Sequence, residues 1–262
     1  MENELNVVGI QTDLFWENPS RNLAYFEERI NNLPKNTDLV VLPEMFTTGF
    51  TMNPEKVAEK LDGTSVCWMQ KIAIKNKIAL TGSLVIQENN KYYNELVFVH
   101  PTGKIETYIK RHSFTLAGED EVYTSGKEKL IITYKNWRIC PLICYDLRFP
   151  VWARNIENYD FLIFMANWPV KRIKAWETLL KARSIENMCY TIGVNRTGID
   201  AHKYRYSGNS LIIDYLGEEI SNLPKNEIGI ISATFNRKNQ DKIRTKLGFL
   251  NDMDSFTVTT SK

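Results

Sequence analysis

Cysteine and histidine are scarce in this chain, which has four cysteines and three histidines in 262 residues. The cysteines show no C-x-x-C pair, and this argues against both a disulfide framework and a zinc site. The sequence also has no HExxH motif, phosphate-binding loop or dinucleotide-binding glycine pattern, so metal and nucleotide chemistry lack support. We therefore expect free thiols in a reducing compartment, and neither a metal nor another cofactor.

The chain also lacks a long apolar run and an excess of charge of one sign. Its 33 basic and 31 acidic residues are interspersed and give a net charge of +2, which provides no surface for nucleic acid or anionic lipid. The first 16 residues place acidic side chains before a short apolar run, unlike a basic signal peptide, and no later run reaches membrane-spanning length. We expect a cytoplasmic protein whose partners include neither nucleic acid nor membrane.

The composition that remains is that of an ordinary globular protein. Hydrophobic residues make up 43% of the chain and charged residues 24%, close to the averages for soluble domains. No low-complexity linker divides the chain, and its two halves share a rough order of strands and helices. We expect one α/β domain over residues 1–262 with internal pseudo-symmetry. Residues 235–262 are expected to form a C-terminal tail that packs on the core or on a partner subunit.

The segment 137–150, WRICPLICYDLRFP, contains the best-placed cysteine. It predicts a buried strand that ends at Cys144 and a helix over 151–157. The unpaired N–H groups of such a helix would face the thiol and favour the thiolate over the thiol. On this segment alone, Cys144 is equally compatible with a small apolar residue that fills a core. The other three cysteines are expected to lie in the core.

Two charged residues occupy comparable positions at predicted strand ends. Glu44 follows the apolar run TDLVVL, and Lys110 follows the second strand of a predicted hairpin. Strand ends on one side of an α/β sheet bring side chains together on a fixed scaffold. There a carboxylate can take the proton of Cys144, the thiolate can attack a carbonyl carbon, and an ammonium can stabilise the oxyanion. The backbone N–H of Tyr145 would be a second oxyanion donor.

Three motifs resemble those of the carbon–nitrogen hydrolase (nitrilase) superfamily, in the same order. They are LPEMF around Glu44, YIKRHSF around Lys110 and LICYDLRFP around Cys144. The resemblance runs from about residue 4 to about residue 234. The details MFTTGF, AGEDEVY, CYDLRFP and ANWP are most similar to the omega-amidase branch, which hydrolyses the terminal amide of 2-oxo acid amides such as 2-oxoglutaramate and 2-oxosuccinamate. The resemblance implies a four-layer α-β-β-α sandwich, assembled as a homodimer or larger homo-oligomer.

The resemblance also implies roles for particular residues. Glu44 corresponds to the general base, Lys110 to the oxyanion stabiliser and Cys144 to the nucleophile. A second glutamate in the loop after the lysine positions substrate and lysine in this superfamily. Glu119, within AGED, matches that position best, and Glu121 remains the alternative.

Candidates for substrate binding follow from position and from charge. Phe46 and Trp168 follow predicted strand ends, where they either line the pocket or pack in the core. A carboxylate on the substrate requires a cation in the pocket. The sequence offers five cations near the motifs, among which our candidates are Arg148 and Arg172, and the others are Lys171, Arg196 and Arg205.

We therefore expect a cofactor-free amidase that acts on a small-molecule amide through a cysteine thioester. Nitrile hydrolysis and N-carbamoyl amide hydrolysis are the alternatives within the same superfamily. An alternative of another class is a catalytically silent relative that serves as a binding or scaffold module. A Cys–His protease would use His112 as the base, but we expect a structural role for that residue.

Overall fold

Two six-stranded sheets form the centre of the protein, seen here in a computed structural model that describes residues 3–259. The strands, in chain order, are β1 (Glu4–Gln11), β2 (Leu39–Val41), β3 (Ala79–Glu88), β4 (Lys91–Val99), β5 (Ile105–Ile109), β6 (Ile132–Tyr134), β7 (Trp137–Ile143), β8 (Phe161–Ala166), β9 (Tyr190–Asn195), β10 (Thr197–Ile199), β11 (Arg205–Ser207), β12 (Leu211–Ile213), β13 (Glu219–Asn222) and β14 (Gly229–Asn236). The α-helices are α1 (Pro19–Asn31), α2 (Thr64–Asn76), α3 (Glu119–Val122), α4 (Pro150–Ala153), α5 (Ile173–Asn187) and α6 (Arg237–Leu247).

The two sheets have the same arrangement of parallel and antiparallel neighbours. The first has the order β14-β1-β2-β3-β4-β5, and the second has the order β13-β12-β9-β8-β7-β6. Strands β1 to β3 run parallel in the first sheet, as β7 to β9 do in the second. Each parallel trio is flanked by one antiparallel strand on one side and two on the other. The expected α/β class and internal pseudo-symmetry are confirmed.

The sheets pack face to face, and helices cover their outer faces. A single hydrophobic cluster joins side chains of the first sheet, such as Leu5, to side chains of the second, such as Phe161. On the other face of the first sheet, Phe26 of α1 and Met69 of α2 pack in a separate cluster. Trp176 of α5 packs on the second sheet. This is the expected four-layer sandwich. No helix within residues 3–259 has both the length and the apolar character needed to cross a membrane.

The segment after Cys144 differs from the predicted helix over 151–157. A 3-10 helix spans Cys144–Arg148, and α4 ends at Ala153. The backbone of Arg154 is extended, with φ −64° and ψ 136°. The fully buried Asn155 donates its backbone N–H to the Asn187 side chain over 2.9 Å and its Nδ2 to the carbonyl of Tyr159 over 2.9 Å. These bonds replace the helical ones and turn the chain towards β8.

Several smaller expectations are corrected. Cys67 is exposed, because α2 turns Val66 and Met69 inwards and the helical period leaves the residue after Val66 outside. Ile185 of α5 is also 51% exposed, although apolar residues of its helix such as Trp176 and Leu180 are buried. Residues 196–208 contain the antiparallel ribbon of β10 and β11.

The segment from residue 235, predicted as a tail, is largely regular. Phe235 belongs to β14 and is fully buried, and α6 follows directly. Gln240 donates Nε2 to the carbonyl of Asp160 over 2.7 Å, and Arg244 donates Nε to the carbonyl of Met188 over 2.8 Å. Helix α6 is therefore held against the loops around β8 and β9. Contact of this segment with a partner subunit remains a prediction.

Candidate active site

Polar side chains from both sheets meet where their strands end. Cys144 follows β7 directly and Asn167 follows β8 directly, both in the second sheet. Glu44 lies shortly after β2 and Lys110 directly after β5, both in the first sheet. All four side chains line one pocket. The structure therefore brings together the three residues that the sequence motifs single out, across the interface between the sheets.

Lys110 lies at the centre of this arrangement. Its Nζ is 2.9 Å from Oε1 of Glu44 and 2.9 Å from each carboxylate oxygen of Glu119. The lysine side chain is 2% exposed, and both glutamates are fully buried. One ammonium thus faces two carboxylates out of contact with water, where charge interactions are much stronger than at a surface.

The structure distinguishes the two candidate glutamates of the loop after β5. The carboxylate of Glu119 bonds Lys110 and also accepts the backbone N–H of Phe114 over 2.5 Å. Glu121 is exposed. Helix α3 begins at Glu119, so its first turn directs one glutamate inwards and leaves the other at the surface. The structure therefore places Glu119, and not Glu121, beside Lys110, and its role in the reaction remains a prediction.

Two asparagines hold Glu44 in place, and sequence reasoning assigned a role to neither. Asn94 donates Nδ2 to Oε1 of Glu44 over 2.9 Å and to Oε1 of Glu119 over 3.2 Å. Asn167 donates its backbone N–H to Oε2 of Glu44 over 2.9 Å and its Nδ2 to the Glu44 carbonyl over 2.6 Å. A polar residue directly after a buried strand was the available signal for Asn167. Asn94 lies inside β4, and its only signal was a buried amide in an apolar strand.

The buried charges shift one another's pKa. Burial alone would lower the pKa of Lys110, but the negative charges of Glu119 and Glu44 outweigh it and raise that pKa above its usual value. Burial raises the pKa of Glu119, and the ammonium of Lys110 opposes that rise. Lys110 is therefore a charged donor at neutral pH.

Cys144 occupies a strained position in the chain. Its φ is +43°, in the left-handed region that non-glycine residues rarely adopt. The fully buried Asp146 holds this turn: Oδ2 accepts the backbone N–H of Ile143 over 3.0 Å and the hydroxyl of Tyr108 over 2.8 Å. Strain of this kind persists only where the surroundings fix the backbone, and it is concentrated at functional sites. The bend places the thiol in the pocket.

The helix N–H groups were expected to favour the thiolate of Cys144, but burial shifts the pKa of the thiol in the opposite direction. Burial raises the pKa of the thiol well above its usual value of 9.0, and the charge of Glu44 raises it further. Lys110 opposes the shift, but its positive charge is shared with two carboxylates. The cysteine is therefore a neutral thiol in the resting site. It needs a base to become a nucleophile, and Glu44 is the carboxylate beside it.

The backbone after Cys144 supplies further donors. Tyr145 is the second residue of the 3-10 helix Cys144–Arg148 and lines the pocket. Its N–H has no acceptor within that helix, because the first N–H groups of any helix lack one. Together with Lys110, it would offer two donors to an oxygen bound beside the thiol. Its role as an oxyanion donor remains a prediction.

His112 supports the turn and does not line the pocket. Its backbone N–H donates to Oδ1 of Asp146 over 3.0 Å, and its Nδ1 lies 2.7 Å from the same oxygen. Its ring stacks on Phe149 with a centroid separation of 3.7 Å. These contacts fit the expected structural role and leave no place for a Cys–His pair.

Three of the four substrate-binding candidates line the pocket. Trp168 is among them, with the guanidinium of Arg148 over its ring at 5.1 Å. The guanidinium of Arg172 lies 4.9 Å from the ring centroid of Phe114. Phe46 does not line this pocket: it is fully buried in the cluster beneath α1 and α2, in edge contact with Phe26. Phe46 lies five residues after the end of β2, and its side chain points back into the core.

The remaining cations considered from the sequence lie outside the pocket. Arg196 is fully buried, with its Nη2 2.5 Å from Oδ1 of Asp13. Lys171 and Arg205 are exposed and do not line the pocket. Arg148 and Arg172 are therefore the cations available to a bound anion, in addition to Lys110, which is already paired.

Comparisons with known proteins agree with this geometry. A family model described as carbon–nitrogen hydrolase matches residues 6–245. An omega-amidase, YafV, of Yersinia enterocolitica is 38% identical over 97% of this chain and 98% of its own length. A 2-oxoglutaramate amidase of Bacillus subtilis is 31% identical over 93% of this chain and 95% of its own length. The solved structure of XC1258 from Xanthomonas campestris, a CN-hydrolase superfamily protein with an arsenic adduct in its active site, is 36% identical, has a TM-score of 0.95, and covers 98% of this chain and 99% of its own.

Proposed function

This chain belongs to the carbon–nitrogen hydrolase family, and from that premise we propose that it is an omega-amidase. Its reaction is hydrolysis of the terminal amide of a small 2-oxo acid amide to the 2-oxo acid and ammonia. The relatives named omega-amidase and 2-oxoglutaramate amidase cover nearly the whole chain and support this substrate class. The catalytic residues of the proposal are Glu44, Lys110, Cys144 and Glu119.

One observation carries the proposal: a buried ammonium between two carboxylates lies in the same pocket as a strained, neutral thiol. Burying one ammonium and two carboxylates away from water is costly unless each charge is paired and hydrogen-bonded. A purely structural site would be served as well by apolar side chains. The arrangement is the one that acyl transfer requires, with a base, a nucleophile and a fixed positive charge.

Acylation begins with proton transfer from Cys144 to Glu44. The thiolate sulfur attacks the amide carbon, and the carbonyl oxygen becomes an oxyanion beside Lys110 and the N–H of Tyr145. As the C–N bond breaks, Glu44 returns the proton to the nitrogen and ammonia leaves. The acid remains bound as a thioester of Cys144.

Deacylation repeats the same steps with water as the nucleophile. Glu44 takes a proton from water, the hydroxide attacks the thioester carbon, and the thiolate leaves and regains the proton. Glu119 and Asn94 hold the reacting groups in place throughout. Glu119 bonds Lys110, and Asn94 bonds both Glu44 and Glu119. These steps require no cofactor or metal. The absence of both remains a prediction, which ammonia release after prolonged dialysis against a chelator can check.

The far end of the pocket would hold the substrate's carboxylate. Arg148 and Arg172 line it, each resting on an aromatic ring that leaves the guanidinium N–H groups free to bind. Neither arginine forms an ion pair with a carboxylate among residues 3–259. Arginine binds carboxylates through two parallel hydrogen bonds, which gives orientation as well as affinity. Trp168 lines the same pocket and would offer the substrate an apolar surface.

An assay of ammonia release tests the proposal. The purified protein is given 2-oxoglutaramate and 2-oxosuccinamate, and matched solutions of a simple nitrile and an N-carbamoyl amino acid. We expect turnover of the 2-oxo acid amides at rates far above those of the other two. Preference for the nitrile or the carbamoyl compound would replace the proposed substrate class, and no release from any of them would favour a silent binding or scaffold module.

Two further properties belong to the same proposal. We place the protein in the cytoplasm, where thiols stay reduced and Cys144 would remain active. We also propose a homodimer or larger homo-oligomer, as the superfamily resemblance implies. Light scattering of the purified protein would measure the assembly, and a monomer at micromolar concentration would contradict it.

A further inference from the structure

Asn167 is placed between the base and the pocket. Its backbone N–H and its Nδ2 both bond Glu44, through Oε2 and the main-chain carbonyl respectively. The side chain is only 5% exposed and lines the pocket. The main-chain carbonyl of Glu44 is an acceptor, so the nitrogen of the Asn167 side-chain amide must face it. The oxygen Oδ1 therefore points away from Glu44.

That oxygen has no hydrogen-bond partner among residues 3–259, although it is buried. Buried polar atoms are nearly always paired, and an unpaired acceptor is costly. In an active site, such an atom is a candidate to receive a hydrogen bond from the substrate. A ligand that carries an N–H or O–H donor would satisfy this acceptor.

The cationic side chains of the pocket cannot accept a hydrogen bond from the nitrogen of a primary amide. Lys110, Arg148 and Arg172 carry donors only. An amide –NH2 also carries donors, so it must face acceptors. The carboxylate of Glu44 already accepts from Lys110, Asn94 and Asn167. Two side-chain acceptors next to the base are unpaired among the described residues, Oδ1 of Asn94 and Oδ1 of Asn167, and of these two residues Asn167 is the one that lines the pocket.

The two sides of Glu44 are also distinct. Lys110 and Asn94 bond Oε1, whereas the backbone of Asn167 bonds Oε2. The substrate's carbonyl oxygen belongs on the Lys110 side, because that side carries the positive charge. The nitrogen, bonded to the same carbon, then falls on the Asn167 side.

We propose that Asn167 is the specificity-determining residue for the amide nitrogen: Oδ1 accepts a hydrogen bond from the substrate –NH2 and keeps it beside Glu44. This inference rests on the proposed amidase function. It makes the site selective for an amide over an ester or a nitrile of the same acid, since neither of those presents an N–H. The same bond holds the nitrogen where Glu44 can protonate it as the C–N bond breaks.

The test compares 2-oxoglutaramate with the matching methyl ester of 2-oxoglutarate, since both yield the same product, 2-oxoglutarate. For Asn167→Ala we expect kcat/KM to fall about ten-fold or more further for the amide than for the ester, the change in ratio that loss of one good hydrogen bond gives. The control is Asn94→Ala, which also removes a bond to Glu44 but lines no part of the pocket. In that variant both substrates should slow with a smaller change in their ratio.

A second measurement leaves position 167 intact. In Cys144→Ala protein, which cannot acylate, titration calorimetry should show tighter binding of the amide than of the ester. Equal affinities there, or equal losses for both substrates in Asn167→Ala, would overturn the role of Asn167 while the wild-type protein still releases ammonia. If wild-type protein releases no ammonia from 2-oxoglutaramate, the proposed function fails and the inference fails with it.

Discussion

The protonation state of Cys144 separates this site from a simple activated thiolate. Burial and the charge of Glu44 raise the thiol's pKa well above 9.0. The thiol therefore keeps its proton at neutral pH and loses it only when the pH exceeds that value. Catalysis at neutral pH then depends on proton transfer to Glu44 in each cycle and not on a standing population of thiolate.

The ultraviolet absorbance of the thiolate gives a direct reading of this prediction. The difference spectrum between wild-type protein and Cys144→Ala should show no thiolate at neutral pH and a rising signal only above pH 9.0. A thiolate signal already present at neutral pH would contradict the neutral resting state. Rapid alkylation alone is a weaker test, because Glu44 can assist the reaction of a neutral thiol.

Lys110 contributes to stability as well as to the reaction. Its ammonium is the positive charge that faces the buried carboxylates of Glu44 and Glu119. For Lys110→Met we expect loss of ammonia release and a free energy of unfolding lower by about 3–5 kcal/mol, because two buried carboxylates lose their partner. Urea unfolding measures the stability. The control is Lys104→Met at an exposed surface ion pair, which should change stability by less than about 1 kcal/mol.

If Lys110→Met unfolds at the wild-type urea concentration, the ammonium does not compensate the carboxylates as described. Unchanged stability could also arise because one of the buried carboxylates takes up a proton in the variant. Measuring the free energy of unfolding over a range of pH distinguishes these two explanations. The loss of stability should shrink as the pH falls, because the pKa of the buried Glu119 is raised and a protonated Glu119 no longer needs a positive partner.

At the scale of single elements, the turn after β7 determines where the nucleophile lies. Asp146 accepts from Tyr108, Ile143 and the backbone of His112, and so fixes a segment in which Cys144 has φ +43°. A short 3-10 helix rather than a full α-helix follows, since the chain must turn again at Arg154. The rigidity of the site therefore rests on one buried carboxylate.

Asp146→Asn tests this element. One carboxylate oxygen becomes an NH2 group that faces donors, so at least one buried donor loses its acceptor. We expect the free energy of unfolding to fall by about 1–3 kcal/mol and kcat to fall with it as the Cys144 turn loosens. The matched control is the exposed Asp120→Asn, which should leave both unchanged. Full activity in Asp146→Asn would mean that other contacts hold the turn.

The positions of the strands and helices were largely predictable from the sequence. Their exact ends and the directions of individual side chains were less predictable. The strand before Glu44 was evident from a continuous apolar run, the strand before Lys110 from a hairpin pattern, and the strand before Cys144 from a largely apolar segment. The helix predicted over 151–157 ends already at Ala153, because the bonds of the buried Asn155 override its propensity. The exposure of Cys67 was missed, although the helical period that turns Val66 and Met69 inwards leaves it outside.

At the scale of the whole molecule, the site exists because two similar sheets pack face to face. Glu44 and Asn167 follow the central parallel strands β2 and β8, and hydrogen bonds between these residues join the two halves. Their separation along the chain made this pairing invisible in the sequence. The shared order of strands predicted the pseudo-symmetry, but only the packed structure shows which ends meet.

The electrostatics of the site were likewise only partly predictable from the sequence. The sequence identified Glu44, Lys110, Glu119 and Cys144 through their motifs, and the resemblance gave them roles. It could not give the direction of the thiol's pKa, which depends on burial and on the distance to Glu44. Asn94, inside β4, was likewise beyond sequence reasoning, because its role depends on two glutamates brought to it by separate loops.

The most direct test of the central claim is ammonia release from 2-oxoglutaramate by wild-type protein, Cys144→Ala and Cys67→Ala. Cys67 is exposed and outside the pocket, so its variant controls for loss of a cysteine as such. The account predicts an active wild-type protein, an equally active Cys67→Ala, and a rate lower by about a thousand-fold or more in Cys144→Ala. A Cys144→Ala protein that releases ammonia at the wild-type rate would contradict it.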